Sequence, residues 1–264
     1  PSLLDAAKLI LAHTPGKTED DNCNLLNAEQ FAQKARDELD YYRNIDPSLT
    51  AKVEVCNDIT GILVSHGNFL IGSDAQVASA RLNAALQHEI GTHVVTYHNG
   101  RKQVFQQLFD GMAGYEELQE GLAVLAEYLV GELNLSRLQM LAGRVLAVHS
   151  IISGANFVET YQMLNHDYKF RPYTAFNITM RIYRGGGYTK DMVYLRGFLK
   201  LLGYLQQHQD IDILYSGKVS LEHIEFLHEL KWREVLKPIT LRPRYLNNDQ
   251  AQARLKALRN NPGL

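Results

Sequence analysis

The sequence predicts an α+β fold that is mostly α-helical, with a small antiparallel sheet ahead of a long helical remainder. From Val77 onward, five segments carry apolar residues at spacings of three and four, the period of an amphipathic helix. Residues 52–72 instead hold short runs rich in Val, Ile and Leu, punctuated by Gly and Asn. With 264 residues and 45% hydrophobic composition, the chain can bury one large core. We therefore expect a single domain over residues 1–264.

The first 75 residues divide into two parts. Residues 1–50 predict two helices, Leu3 to Ala12 and Ala28 to Arg43, which brace the domain. Residues 51–75 predict the small antiparallel sheet, from the runs VEVCND, GILVSHG and NFLIGSD. The two helices of residues 1–50 are predicted to carry no chemistry.

The rest of the chain is predicted to be a helical body over residues 76–235 and an irregular wrap over residues 236–264. The body holds VASARLNAALQHEIGTHVVTYH, VFQQLFDGM, ELQEGLAVLAEYLVGEL, SRLQMLAGRVLAVHSIISG and DMVYLRGFLKLLGYLQQH. The wrap is predicted from Pro238, Pro243 and Pro262 and from many polar side chains.

Composition excludes several classes of protein. The formal net charge is −2, and the 27 basic residues are spread along the chain, so nucleic-acid binding is not expected. Cys23 and Cys56 form neither a disulfide framework nor a zinc-ribbon motif, which favours a reducing, cytoplasmic setting. No run approaches the ~18 apolar residues of a membrane span. Because the chain begins at Pro1, we expect an excerpt of a longer protein.

The segment HEIGTH carries the chemistry that a hydrolytic zinc site needs. His88 and His93 offer neutral nitrogen ligands, and Glu89 offers an acid/base group beside the metal. The common zinc-peptidase motif spaces its histidines at i and i+4, whereas these are five apart, or about 140° around an ideal helix. A shared metal therefore requires a one-residue π-bulge, or a break near Gly91, where the missing Cβ tolerates unusual dihedrals.

The next helix, ELQEGLAVLAEYL, is expected to supply the third ligand. Its candidates are Glu116, Glu117, Glu120 and Glu127. Glu120 is favoured because small residues, Gly and Ala, follow it. They permit a close approach to the helix that carries HEIGTH, called the metal helix below. Glu127 lies two turns further on the same face and is suited to orienting an imidazole. The fourth metal position is then left for water.

Each of these residues also has a structural interpretation. A histidine on an apolar helix is most often a satisfied core residue. Glu89 argues against that interpretation, because burying a carboxylate without a charge partner costs several kcal/mol. His98 and Asn99, in TYHNG, are first a helix-stop signal and only second a contact with the site.

The segment RIYRGGGYTKDMVYLRG supports two interpretations. One is a flexible connection, with Thr189 as the N-cap of the next helix. The other is a loop that approaches a ligand, in which Arg184 or Lys190 grips a carboxylate and Tyr194 donates to an oxyanion.

Four motifs in order, HEIGTH, TYHNG, LQEGLAVLAEYL and RGGGYTKDMVYLRG, closely resemble the QEGLA-motif family. Its bacterial members are labelled flavohaemoglobin expression-modulating proteins, and its animal relatives are the microtubule-associated tyrosine carboxypeptidases. The similarity runs from about Val53 to Tyr245. The QEGLA and RGGG motifs are more complete than in the animal relatives and resemble those of the bacterial members. The resemblance implies a zincin-like metallopeptidase with an HExxxH motif, in which His88, His93 and Glu120 hold one zinc ion and Glu89 is the base.

We therefore expect hydrolysis of a peptide bond in a peptide or in the C-terminal tail of a protein. Zinc would lower the pKa of its bound water, while Glu89 takes the proton and hands it to the leaving amine. NFLIGSD is expected to be an edge strand that pairs with the substrate backbone. A carboxypeptidase also needs a cation for the terminal carboxylate, and the candidates are Arg184, Lys190 and Arg196. The alternative is a metal-binding regulatory protein without peptidase activity.

Overall fold

The computed structural model describes residues 2–13, 24–184 and 188–260. Its strands are β1 (Leu25–Asn27), β2 (Val53–Cys56), β3 (Ile62–Ser65), β4 (Asn68–Gly72) and β5 (Gln76–Ala78). Its α-helices are α1 (Leu3–Ala12), α2 (Ala28–Ile45), α3 (Leu82–His88), α4 (Val95–Lys102), α5 (Gln107–Asp110), α6 (Tyr115–Leu129), α7 (Leu135–Ile152), α8 (Phe157–Gln162), α9 (Pro172–Tyr183), α10 (Val193–Gln207), α11 (Ile224–Trp232) and α12 (Asp249–Asn260). The prediction of a mostly helical protein with small sheets is confirmed.

The chain folds as two compact units. The smaller unit comprises Pro1–Glu19 and Leu133–Gly197, and the larger unit comprises Asp20–Glu132 and Phe198–Leu264. In the smaller unit, α1 and α9 both pack against α7, around a core that includes Val148, Leu164 and Ile178. That the whole chain acts as one catalytic domain stays a prediction.

The core of the larger unit lies between α2, the sheet and the helical segment from α3 to α4. Phe31 of α2 and Phe69 of β4 meet edge to face at 5.7 Å between ring centroids. Ile90 and Val94, within and after HEIGTH, are buried in the same cluster. This burial fixes one side of the predicted metal helix and leaves its other side for polar residues.

The sheet differs from the antiparallel sheet that the sequence predicts. β3 pairs antiparallel with β4, but β2 pairs parallel with β4, in the strand order β2-β4-β3. The tight turn at His66 and Gly67, both with positive φ, sends β4 back along β3. The other edge of β4 pairs with β2. The chain reverses direction once between β2 and β3 and again between β3 and β4, so β4 runs parallel to β2. The prediction of NFLIGSD as an edge strand is therefore wrong, since β4 is central.

Two further elements were not predicted. β1 pairs antiparallel with β5, but three residues are too few for a strand pattern to be seen in the sequence. The predicted irregular wrap over 236–264 contains helix α12, whose apolar stripe is narrow: Ala251, Leu255 and Leu258 are buried. Asn248 caps this helix through its Oδ1 atom, which accepts the N–H of Gln250 at 2.9 Å.

No helix among residues 2–13, 24–184 and 188–260 has the length and apolar character needed to cross a membrane.

Candidate metal centre

The helix that carries HEIGTH is interrupted by a π turn. Helix α3 ends at His88, a π-helical segment spans Glu89–Val94, and α4 continues from Val95. A π turn brings residues five apart onto one face, which a regular α-helix cannot do. The imidazole rings of His88 and His93 accordingly lie 5.4 Å apart between centroids. The predicted bulge is confirmed, and the alternative of a broken helix is not needed.

Contacts around Gly91 show how this turn is accommodated. Thr92 Oγ1 donates a hydrogen bond to the carbonyl oxygen of Gln87 at 3.0 Å, across the π turn. Gly91 does not have the positive φ that an unusual backbone conformation would give it. Instead, a Cβ atom at Gly91 would lie 2.4 Å from Gln87 Oε1, which is too close. A larger residue at this position would have to displace the end of the Gln87 side chain, whereas no unusual dihedral is required.

Glu120 of α6 approaches both imidazoles. Its Oε2 atom lies 3.5 Å from His88 Nε2 and 3.7 Å from His93 Nε2. The ligand atoms of these three residues all lie within 4.8 Å of one another, close enough to share a metal ion. Among the described residues, no other group of three such side chains meets that criterion.

The donor set fits a tetrahedral zinc ion. With metal–ligand bonds near 2.0–2.1 Å, two ligand atoms at the tetrahedral angle lie about 3.3 Å apart. The two Oε2–Nε2 distances, 3.5 and 3.7 Å, are close to this value. Glu120 Oε2 is also buried without a hydrogen-bond partner. A cation between the three side chains would satisfy this oxygen, which otherwise costs free energy.

Acceptors behind the two histidines orient their rings. Glu127 Oε1 lies 2.9 Å from His88 Nδ1, and Gln119 Oε1 makes a longer contact of 3.4 Å with His93 Nδ1. A proton on each Nδ1 leaves each Nε2 atom as the lone-pair donor, directed at Glu120. Glu127 thus has the contact that its place in the sequence predicts.

Arg81 extends this chain of contacts and was not identified from the sequence. Its Nη2 atom lies 2.6 Å from Glu127 Oε2, and its Nη1 atom donates to the carbonyl oxygen of Glu132. The Glu127 side chain is only 2% exposed, so Arg81 supplies the countercharge that its burial requires. Arg81 lies seven residues before His88 in SARLN, where no motif marks it.

The charges of this cluster shift the pKa values of its members. Burial lowers the pKa of His88, but the contact of its ring with the carboxylate of Glu120, the hydrogen bond to Glu127 and the charge of Glu89 outweigh it and raise this pKa to about 10. Burial likewise raises the pKa of Glu120, yet interaction with His88 and His93 holds it well below its usual range. In the absence of a metal ion, a proton on His88 therefore supplies the positive charge of the site.

Glu89 lies beside the metal cluster, whereas the candidate ligands Glu116 and Glu117 lie outside it. Glu89 is buried, and its Oε1 atom lies 4.0 Å from His88 Nε2, beside the cluster but outside the group of three. Glu117 pairs with Lys200 at 3.0 Å, and Glu116 is exposed. Neither belongs to the cluster.

His98 has a structural role. Its Nε2 atom lies 2.8 Å from Asp46 Oδ2, which ties α4 to the residue that follows α2. The interpretation of His98 as part of the site therefore receives no support from its contacts.

The sequence matches one family model over almost its whole length. The model describes the microtubule-associated tyrosine carboxypeptidases and matches residues 1–262. The chain belongs to this family. No individual curated protein matches the sequence. Membership of this carboxypeptidase family implies a hydrolase with carboxypeptidase-like peptidase activity, which acts on a peptide or protein substrate.

The predicted substrate groups of this family member belong to the smaller unit. Arg184 is exposed and follows the last residue of α9. Lys190 is exposed in the 3₁₀ turn Tyr188–Met192, and Arg144 lies over the ring of Tyr194 at 5.3 Å. Glycines 185–187 and the side chain of Thr189, the predicted N-cap, lie outside the described residues. The substrate roles of Arg184, Lys190 and Tyr194, and that of Arg196, stay predictions.

A cavity of about 610 Å³ in the larger unit is separate from the metal cluster. It is lined by residues of α2, α3 and the C-terminal segment, among them Glu38, Gln87 and Arg244. Glu38 accepts from Gln87 Nε2 at 2.9 Å and from Arg244 Nη1 at 3.0 Å. These contacts tie Gln87 of α3 to Glu38 of α2, and Glu38 to Arg244 of the C-terminal segment.

Proposed function

We propose that the protein is a zinc metallopeptidase of the carboxypeptidase type, which removes the last residue from a peptide or from the C-terminal tail of a protein. The observation that carries this proposal is the cluster of His88, His93 and Glu120 with buried Glu89 beside it. Three protein ligands leave one position of a tetrahedral zinc ion for water or substrate, as in catalytic sites. The sequences of the segments HEIGTH and LQEGLAVLAEYL further support assignment to the QEGLA-motif branch of the family.

In this proposal His88, His93 and Glu120 hold the zinc ion, and Glu89 is the general base. When bound, zinc would polarise the substrate carbonyl and lower the pKa of water at the site. Glu89 accepts a proton from the attacking water and then delivers it to the leaving amine. Glu127 and Gln119 keep the two imidazole rings in position.

The competing function is a metal-binding regulatory protein without peptidase activity. A structural zinc site is usually closed by four protein ligands, often including cysteine. The cluster contains no cysteine, and Cys56 lies in β2, outside it. A buried carboxylate such as Glu89, in addition to the three ligands, has no purpose in a purely structural site, so we favour the enzyme.

Metal analysis and peptide cleavage test the proposed function together. We expect about one zinc ion per chain and the release of single C-terminal residues from a pool of free-acid peptides, detected by mass spectrometry. A chelator should abolish release, and zinc should restore it. A protein that binds one zinc ion yet leaves every peptide intact would instead support the regulatory function.

The raised pKa of His88 predicts that metal binding depends on pH. Zinc requires the neutral imidazole, whereas a pKa of about 10 keeps this ring protonated at pH 7 without metal. Affinity should therefore rise by about tenfold per pH unit below pH 10, with release of about one proton per ion. The charge pairs that raise this pKa stabilise the metal-free fold below pH 6.5, and that stability is lost as the pH rises through about 10.

Calorimetry in two buffers of different ionisation enthalpy measures the number of protons released. Competition with a chelator of known pH dependence, at pH 6.5, 7.5 and about 8.5, gives the affinities. Affinity that does not change with pH would show that His88 is neutral before the metal binds.

Replacement of Arg81 is expected to weaken metal binding through Glu127. Arg81→Met leaves this buried carboxylate without its countercharge and loosens its contact with His88. Because Arg81 acts on His88 only through Glu127, the loss of metal affinity should be no larger than the loss of about 10-fold expected on replacing a group that contacts a ligand directly. The matched control is Arg244→Met, which removes the ion-pair partner of Glu38, a buried carboxylate of α2 that contacts Gln87 of α3. Equal loss in both variants would indicate general destabilisation rather than positioning.

A further inference from the structure

One lysine of the larger unit is held between two tyrosine rings near the metal cluster. Lys218 Nζ lies 5.1 Å from the ring centroid of Tyr97 and 5.4 Å from that of Tyr115. The backbone of Lys218 is fixed as well: its N–H donates to Leu108 O at 2.6 Å, and its carbonyl accepts the N–H of Met112 at 2.9 Å. The position of this ammonium group is therefore defined by both its backbone and its side chain.

The two tyrosines come from the two helices that supply the metal ligands. Tyr97 follows His93 by four residues, so it lies on the same face about one helical turn, or ~5.4 Å, further along. Tyr115 begins α6, five residues before Glu120. Burial and then the charges of Glu116 and Glu120 raise the pKa of Tyr115, so the tyrosine lies within electrostatic reach of the metal ligand.

The direction of α6 explains why both rings lie close to one lysine. Glu127, near the end of α6, contacts His88. Gln119, eight residues earlier and near the start of α6, contacts His93. The helix therefore runs antiparallel to the metal helix. Its first residue, Tyr115, consequently lies toward the same end of the metal cluster as Tyr97, opposite the end that holds Arg81, and both rings lie near Lys218 Nζ.

Lys218 forms no ion pair with a carboxylate of the described residues. No carboxylate oxygen of residues 2–13, 24–184 or 188–260 lies within 4.0 Å of its Nζ atom. Two ring faces stabilise an ammonium ion without neutralising it. Lys200 offers a contrast, because it also lies near the start of α6 but is paired with Glu117 at 3.0 Å. Lys218 thus forms no direct ion pair, while burial lowers its pKa and the charge of Asp110 offsets part of that effect.

The substrate of a carboxypeptidase carries a matching negative charge. The oxygens of a peptide's terminal carboxylate lie roughly 3–5 Å from the carbonyl carbon of the last peptide bond. Tyr97 lies about one helical turn, or ~5.4 Å, beyond His93, so an ammonium ion held over its ring is separated from the metal cluster by a distance of this order. We propose that Lys218, cradled by Tyr97 and Tyr115, binds the C-terminal carboxylate of the substrate and thereby directs cleavage to the last residue. This inference rests on the proposed function and names a group that lies outside every motif of the sequence.

Peptide binding without turnover tests the role of Lys218. The probes are twenty fluorescein-labelled octapeptides that differ only in their last residue, each made as a free acid and as an amide. Anisotropy is measured on zinc-loaded Glu89→Gln protein. The best-bound free acids should bind at least tenfold more tightly than their amides. Adding Lys218→Met should remove this difference by weakening the free acids only, and Lys218→Arg should retain most of it.

Lys200→Met is the matched control and should leave both affinities unchanged. Equal weakening of acids and amides by Lys218→Met, or a free-acid preference that survives it, overturns the inference. So does the absence of any free-acid preference in the parent protein. If Lys218→Met loses its zinc or its folded circular dichroism spectrum, Lys218→Gln provides the same comparison.

The binding experiment also separates this inference from the proposed function. If the free-acid preference depends on Lys218 but wild-type protein cleaves no peptide, the carboxylate site stands and the peptidase function fails. If wild-type protein releases C-terminal residues and Lys218→Met has no selective effect on free acids, the function stands and the assignment of Lys218 fails.

Discussion

Glu89→Gln is expected to lower kcat/KM for C-terminal residue release by roughly 10²–10⁴-fold, while the protein keeps its zinc ion. Glutamine has nearly the same size and hydrogen-bonding shape, but it cannot accept the proton of the attacking water. Zinc should be retained because Glu89 lies 4.0 Å from His88 Nε2 and is not one of the three clustered ligands. Peptide release and zinc content, measured on the same preparation, give both results.

The matched control for this variant is Glu132→Gln. Glu132 Oε2 accepts the N–H of Ala84 at 2.7 Å, so this carboxylate also contacts the metal helix but stands apart from the ligands. A glutamine oxygen can replace that contact, and activity should be unchanged. If Glu89→Gln retains full activity, another group must be the base; if it loses zinc, Glu89 must help to hold the metal.

Glu120→Gln is expected to weaken zinc binding by about 10²-fold and to abolish activity at limiting zinc. Four-ligand zinc sites bind with apparent free energies of about 10–16 kcal/mol, or roughly 3 kcal/mol per ligand. A neutral amide is a poor zinc ligand, and it also removes the negative charge that faces both imidazoles. Chelator competition at fixed pH measures the change in affinity.

Glu127→Gln is the control variant for the loss of zinc affinity expected of Glu120→Gln. Because Glu127 contacts His88 Nδ1 rather than the metal position, its replacement should cost about 10-fold, less than replacement of a ligand. Zinc affinity that is equal in wild type and Glu120→Gln would remove Glu120 from the ligand set. Excess zinc should restore part of the activity of Glu120→Gln, but none of that of Glu89→Gln.

The metal cluster was largely predictable because its members are close in sequence or lie in a recognisable segment. The five-residue spacing of His88 and His93 requires an irregular helix, and the π turn Glu89–Val94 provides it. Glu120 could be selected from four carboxylates because it alone is followed by Gly and Ala. The role expected of Gly91 was different from the one observed, since nothing in the sequence showed that Gln87 Oε1 would occupy the space beside it.

The sequence by itself determined the helical character of this protein, the position of the metal helix and the demand for a bulge, because these depend on residues within about one or two helical turns. Tertiary structure alone decided which distant residues surround that helix. Arg81 reaches Glu127 across 46 residues of sequence, and Lys218 reaches Tyr97 across more than one hundred. It also decided that β2 lies parallel to β4, because strand pairing depends on which edge is open after the hairpin forms. Such contacts depend on how helices and strands pack, and a local pattern of residues carries no record of that packing.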